Sequence, residues 1–264
     1  MTDQALPQML PASRARQSAA LSSVVVASYV AAIATAEATG VFIAPTAGVI
    51  SHAILVLALL THAHVAGQAP YRRLLPALAL VPLLRILSLT MPIKYVPQIY
   101  WYALVGVPLL VAIGLAARAA NLSRDQIGLR LGAWRAQLLV AASGVPLGLA
   151  AAYLAPEAPA RPAAGAGMAV HIVILVLFTG FAEELLFRGV LMRAVRDLLD
   201  RDDLLFSTFL FAVVYLGTLS VEYILFVALV GLFFGWCARK TGAIWGVALA
   251  HGLISVGVMY IGAR

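Results

Sequence analysis

Apolar runs of about 20 residues recur along almost the whole chain, and that is the length a helix needs to cross a hydrocarbon layer ~30 Å thick. They fall at 19–38, 45–66, 74–92, 100–117, 136–154, 168–188, 204–220, 222–238 and 243–263. Composition closes the alternative. With 63% hydrophobic and 11% charged residues among 264, there is too little polar side chain to wrap a water-soluble core. The sequence predicts an all-α fold, a polytopic transmembrane helical bundle of about nine spans, integral to a membrane and in contact with its lipid bilayer.

The placement of charge tests that reading, because cytoplasmic loops carry the Lys and Arg excess. With the N-terminus in the cytoplasm, inner segments hold Arg14, Arg16, Arg72, Arg73, Arg118, Arg124, Arg130, Arg135, Arg188, Arg193, Arg196, Arg201, Arg239 and Lys240. Outer segments hold only Lys94, Arg161 and Arg264, and Arg85 lies inside a span, which accounts for all 18 basic residues. The bias supports an odd number of spans, a cytoplasmic N-terminus and an outer C-terminus, in what we read as a bacterial plasma membrane. The net charge of +7 is thereby explained as topology; no arginine-rich arm interleaved with aromatics points to nucleic acid.

Residues 1–18 read as a polar tail, not a cleaved leader. The Pro- and Gly-rich stretch Ala155 to Gly167 cannot continue a helix, so it divides a leading region of five spans, 1–154, from a trailing core of four, 168–264. Leu191, Val195, Leu198 and Leu199 alternate with charged residues at helical spacing, either as an amphipathic surface helix or as a solvated helix end. Cys237, the single cysteine, is expected to be a packing residue. Gly231 and Gly235 permit close helix contact. Tyr95, Tyr100, Trp101 and Tyr102 mark an interfacial aromatic belt.

Ionisable groups inside spans are expensive and therefore mark function by default. Glu184 and Arg188, four apart on one helical face, can pair, whereas Glu183 is turned by about 100° and points elsewhere. His251 lies ~12 Å and Glu183 ~8 Å from the cytoplasmic boundary, so two helices distant in sequence bring an acid and an imidazole to one layer. Such a pair facing a cavity can activate water: a carboxylate takes the proton and a second group steadies the oxyanion. The plainer alternative is that both glutamates only make salt bridges at a helix end. Arg85, deep in the third span, needs an acid such as Glu37 or Glu222, or else binds a substrate carboxylate. His52, His62, His64 and His171 are expected away from the layer of Glu183, with at most one of His62 and His64 able to enter it.

At these residues the chain resembles the CAAX protease and bacteriocin-processing family of intramembrane proteases, which includes the type II CAAX prenyl proteases. Glu183, Glu184 and Arg188 match its first motif, Glu-Glu-x-x-x-Arg; Gly231-Leu-Phe-Phe-Gly235-Trp236 also fits; and Thr241-Gly-Ala-Ile-Trp245 leads to the histidine of its last motif, His251. The likeness covers about 168–264. It implies a helical bundle with a cytoplasm-facing cavity, in which Glu183 activates the hydrolytic water, His251 helps to stabilise the oxyanion, and Glu184 with Arg188 supports the site or binds substrate. The implied substrate is a membrane-associated protein or peptide, prenylated or CAAX-like. Family members are described as glutamate-dependent and as metal-dependent; one carboxylate pair and one histidine make a poor zinc set, so no cofactor is expected, with a divalent metal left open.

Two positions depart from the pattern. Tyr215 ends Phe211-Ala-Val-Val-Tyr215 where the family's middle motif has a second histidine, and Ser255 stands where Asn or Asp usually follows the last histidine. A tyrosine donates a hydrogen bond but shares a proton poorly at neutral pH, and a serine donates over a shorter reach than asparagine. Two readings follow: Tyr215 and Ser255 serve a working site, or the chain is a degenerate member acting as a membrane binding or bacteriocin-immunity protein. A transporter is a third class, hinted at only by Val145-Pro146-Leu147-Gly148.

Overall fold

The computed structural model describes residues 12–91, 96–156, 167–199 and 202–262, with side chains from residue 20 onward. Lys94, Tyr95, Arg161, Arg201, Arg264 and most of the 155–167 boundary lie outside the described residues. Every regular element among the described residues is helical: α1 Ala12–Phe42, α2 Pro45–Val65, α3 Leu74–Leu78, α4 Leu80–Leu89, α5 Gln98–Ala119, α6 Trp134–Leu154, α7 Met168–Leu199, α8 Asp203–Val214, α9 Val221–Thr241 and α10 Trp245–Tyr260.

Six helices, α1, α2, α5, α6, α7 and α9, are long and apolar enough to cross a membrane. The remaining expected spans are shorter or interrupted. The run at 74–92 breaks at Ala79 between α3 and α4, where Pro76 and Pro82 remove backbone donors. The run at 204–220 is helical only to Val214, then bends through a 3₁₀ turn, Leu216–Thr218, into Leu219 at φ 53°. Among the described residues α1 is already helical at Ala12, so part of the expected tail extends the first span.

Local chemistry explains the boundaries. Pro45 opens α2, Ser220 caps α9 by accepting the amide of Tyr223, and Gly242 closes α9 at φ 65°, a conformation that costs glycine little. The tail of α7 resolves the amphipathic stretch as a packed helix: Leu191 and Val195 are fully buried, and Asp197 faces outward.

The leading and trailing regions pack together. α10 lies along α6 and against α7, held close by small residues: a Cβ at Gly180 would strike the backbone of Ala248 and Gly252, and one at Gly144 would strike that of Ala250. Pro146 sits inside an unbroken α6, so the Pro–Gly hint of a transporter becomes a packing face. Gly231 and Gly235 of α9 let Thr208 and Leu204 of α8 approach. Cys237 is buried.

Arg85 finds its acid in α1. Its Nε and Nη2 both donate to Glu37 at 2.6 Å, and His52 Nε2 lies 3.2 Å from the same carboxylate. Glu37 is buried, so Arg85→Gln leaves a carboxylate with only His52 beside it. We expect a loss of ~2 kcal/mol, less than for a wholly orphaned buried charge because one partner remains. Detergent-solubilised thermal unfolding checks this; an unchanged melting temperature would refute it.

Candidate active site

α7 is an unusual helix. Two π-helical stretches, Leu175–Phe181 and Leu185–Leu191, flank the single α-turn Ala182–Glu184, and such wide turns cluster at functional sites. Within that α-turn the adjacent glutamates lie about 100° apart and face different ways. The side chain of Glu184 is 0% exposed, whereas that of Glu183 is 19% exposed and reaches a cavity of 230 Å³.

Glu184 is the hub beneath that cavity. Its Oε1 accepts from Arg188 Nη1 at 2.9 Å and lies 2.9 Å from Nδ1 of His251. Arg188 donates through Nη2 to the carbonyl of Gly231 at 3.2 Å and lies 4.3 Å over the Phe211 ring, so the guanidinium is held on three sides. With Nδ1 engaged by Glu184, His251 turns Nε2 toward Glu183, whose Oε2 is 3.9 Å away. That gap is too long for a hydrogen bond and suits two groups that share a third between them.

The height of His251 is set by the start of α10. Thr241 Oγ1 donates into the turn at Cys237 and Ala243, the amide of Ile244 donates to Gly128, and the Trp245 ring stacks on Phe181 at 5.3 Å. The Thr-Gly-Ala-Ile-Trp stretch thus docks α10 on α7 at the level of the glutamates.

Tyr215 lines the cavity from the end of α8, where the helix stops and the 3₁₀ turn begins. Ser255 also lines it, but its hydroxyl donates to the His251 carbonyl at 3.2 Å and its oxygen lies 2.8 Å from Thr179 Oγ1. To serve an oxyanion it must rotate out of that bond. Glu184 and Arg188 stay beneath the cavity and are not among its lining residues.

Three polar lining residues, Thr179, Tyr102 and Tyr223, carried no expectation of a place in the site. Thr179 stands four residues before Glu183, a spacing that was readable. Tyr102 and Tyr223 had no local signal: each belongs to another helix and reaches the cavity only through packing. Tyr102 lines the cavity, while Tyr100 keeps an exposed ring and meets His171 edge-on. The spare histidines stay away, with His62 against Tyr29 and Tyr71, His171 against Tyr260 and His52 against Glu37.

The lining also fixes a direction. Tyr102 lies near the start of α5, Tyr223 near the start of α9, and Val258 and Met259 near the end of α10, whereas the arginines cluster at the opposite helix ends. The cavity therefore lies on the arginine-poor side of Glu183 and His251. The polar lining extends along α7 and α10 away from Arg188.

Comparison with known proteins gives this site a context. Residues 165–257 match the Rce1-like family of type II CAAX prenyl endopeptidases. The matched segment contains Glu183, Glu184, Arg188, Tyr215, His251 and Ser255, and it is consistent with the CAAX protease and bacteriocin-processing family. No curated protein and no solved structure matches the chain. The chain is an integral membrane protein, and the Rce1-like match suggests endopeptidase activity of the CAAX type within the membrane.

Proposed function

We propose that the chain is an intramembrane endopeptidase that hydrolyses a peptide bond of a membrane-associated protein or peptide, with Glu183 as the general base. The observation that carries this reading is the 3.9 Å separation of Glu183 Oε2 and His251 Nε2 across one cavity, with His251 anchored from behind by Glu184. Water held between them loses a proton to Glu183 as it attacks the scissile carbonyl, His251, protonated on both nitrogens beside Glu184, donates Nε2–H to the developing oxyanion, and Glu183 passes its proton to the leaving amine as the C–N bond breaks. Glu184 and Arg188 act as positioning residues: they fix the imidazole ring and leave substrate to the cavity.

No step runs through a metal. Among the described residues no three His, Cys, Asp or Glu side chains are grouped to hold a metal; Glu184, whose Oε2 has no partner, lies beneath the cavity, which leaves Glu183 and His251 as the donors that line it, fewer than the three protein ligands of a catalytic zinc. With the arginine-bearing end in the cytoplasm of a bacterial plasma membrane, substrate reaches Glu183 through the opposite half of the bilayer. That approach favours a membrane-inserted peptide over a lipidated cytoplasmic tail of the CAAX type.

Tyr215 supports a second reading, a degenerate member that binds without cutting. A cleavage assay on reconstituted protein with fluorogenic peptides, inserted or prenylated, separates the two. A working site predicts hydrolysis by the native chain, with about tenfold loss in Tyr215→Phe as one donor disappears. Cleavage appearing only in Tyr215→His would establish the degenerate reading and overturn the first.

A further inference from the structure

A second cavity lies at the opposite end of the same helices. Its volume is 230 Å³, and its walls come from the loop after α5, the tail of α7 and the turn between α9 and α10. Five arginines line it, Arg130, Arg188, Arg193, Arg196 and Arg239, against one acid, Asp125. This convergence is built by the fold, since the five come from three separate segments.

Nearby acids compensate only part of that charge. Arg196 and Arg239 share one buried carboxylate, Asp203, at 2.8 and 3.2 Å, and Arg193 holds the largely exposed Asp197 at 2.9 Å. Arg130 has no ion-pair partner among the described residues. Each guanidinium carries five donors, and the carboxylates take only a few of them. The unspent donors surround a space smaller than the ~300 Å³ at which drug-sized pockets begin. Guanidinium forks match phosphate oxygens, and basic pockets among helix ends meet lipid headgroups at the membrane interface.

We propose that this cleft binds a phosphate group, carried by an anionic phospholipid headgroup or present as free phosphate. Arg188 gives it a link to the candidate active site: the same guanidinium that holds Glu184 forms part of the cleft wall. A phosphate there completes the coordination of the arginine cluster at the end of α7.

Native mass spectrometry of the detergent-solubilised full chain tests this with short-chain phosphatidylglycerol, short-chain phosphatidylcholine and inorganic phosphate as separate probes. We expect saturable retention of one probe molecule, weakened about tenfold by Arg130→Gln combined with Arg193→Gln and untouched by Arg72→Gln. Retention of phosphatidylglycerol with that arginine dependence identifies the headgroup; the same dependence for inorganic phosphate identifies the free ion. Retention of every probe unchanged by the substitutions, or no retention at all, overturns the proposal. Arg130→Gln alone, which breaks no described ion pair, repeats the test if the double variant fails to fold.

Discussion

Replacing Glu183 by Gln is expected to reduce peptide hydrolysis by ~10²–10⁴-fold while leaving the bundle folded. The amide keeps the size of the side chain but cannot take a proton from water, and general-base catalysis contributes that range. The fold tolerates the change because Glu183 faces a cavity and its one described ion-pair contact, to His251, is 3.9 Å long. Single-turnover cleavage by reconstituted protein, paired with a thermal melt, measures both halves of the expectation. Cleavage within tenfold of the native rate would remove Glu183 from the mechanism, and a large drop in melting temperature would recast it as a structural residue.

Glu184→Ala should behave in the opposite way, with stability as the first loss. The carboxylate is fully buried and holds both Arg188 and His251, so its removal leaves a buried guanidinium without its counter-charge and an imidazole without its anchor. Orphaning a buried charge costs about 3–5 kcal/mol. Arg188 keeps its bond to the Gly231 carbonyl and its place over Phe211, which neutralise no charge. Equilibrium unfolding in mixed micelles should show the loss directly. Glu184→Gln, which retains an acceptor oxygen, should lose less stability yet still lower activity by letting the His251 ring turn. Equal stability of the alanine variant and the native chain would refute the hub role of Glu184. The two adjacent glutamates thus answer to different measurements because α7 presents them to different surroundings.

The sequence by itself determined the solvent and the parts. Apolar runs of membrane length dictate helices, since backbone groups in lipid must be satisfied within each segment. Arg85 announced a buried acid through the cost of an unpaired guanidinium, and Glu37 meets it. Helical spacing assigned Glu184 to Arg188 and turned Glu183 elsewhere, because neighbours one apart cannot share a face.

Tertiary structure decided what local spacing does not encode. The break after Val214, which no proline marks, leads through a 3₁₀ turn into Leu219 at φ 53°. The anchor of His251 is a contact across 67 positions, set by the docking of α10 on α7 through glycine faces. Tyr102 and Tyr223 join the cavity from two further helices for the same reason. The cavity's side followed from which polar residues of α7 and α10 face one another, a property of the packed pair. Periodicity belongs to one helix at a time, whereas a site within a membrane bundle is made by the rotation and depth of several helices together.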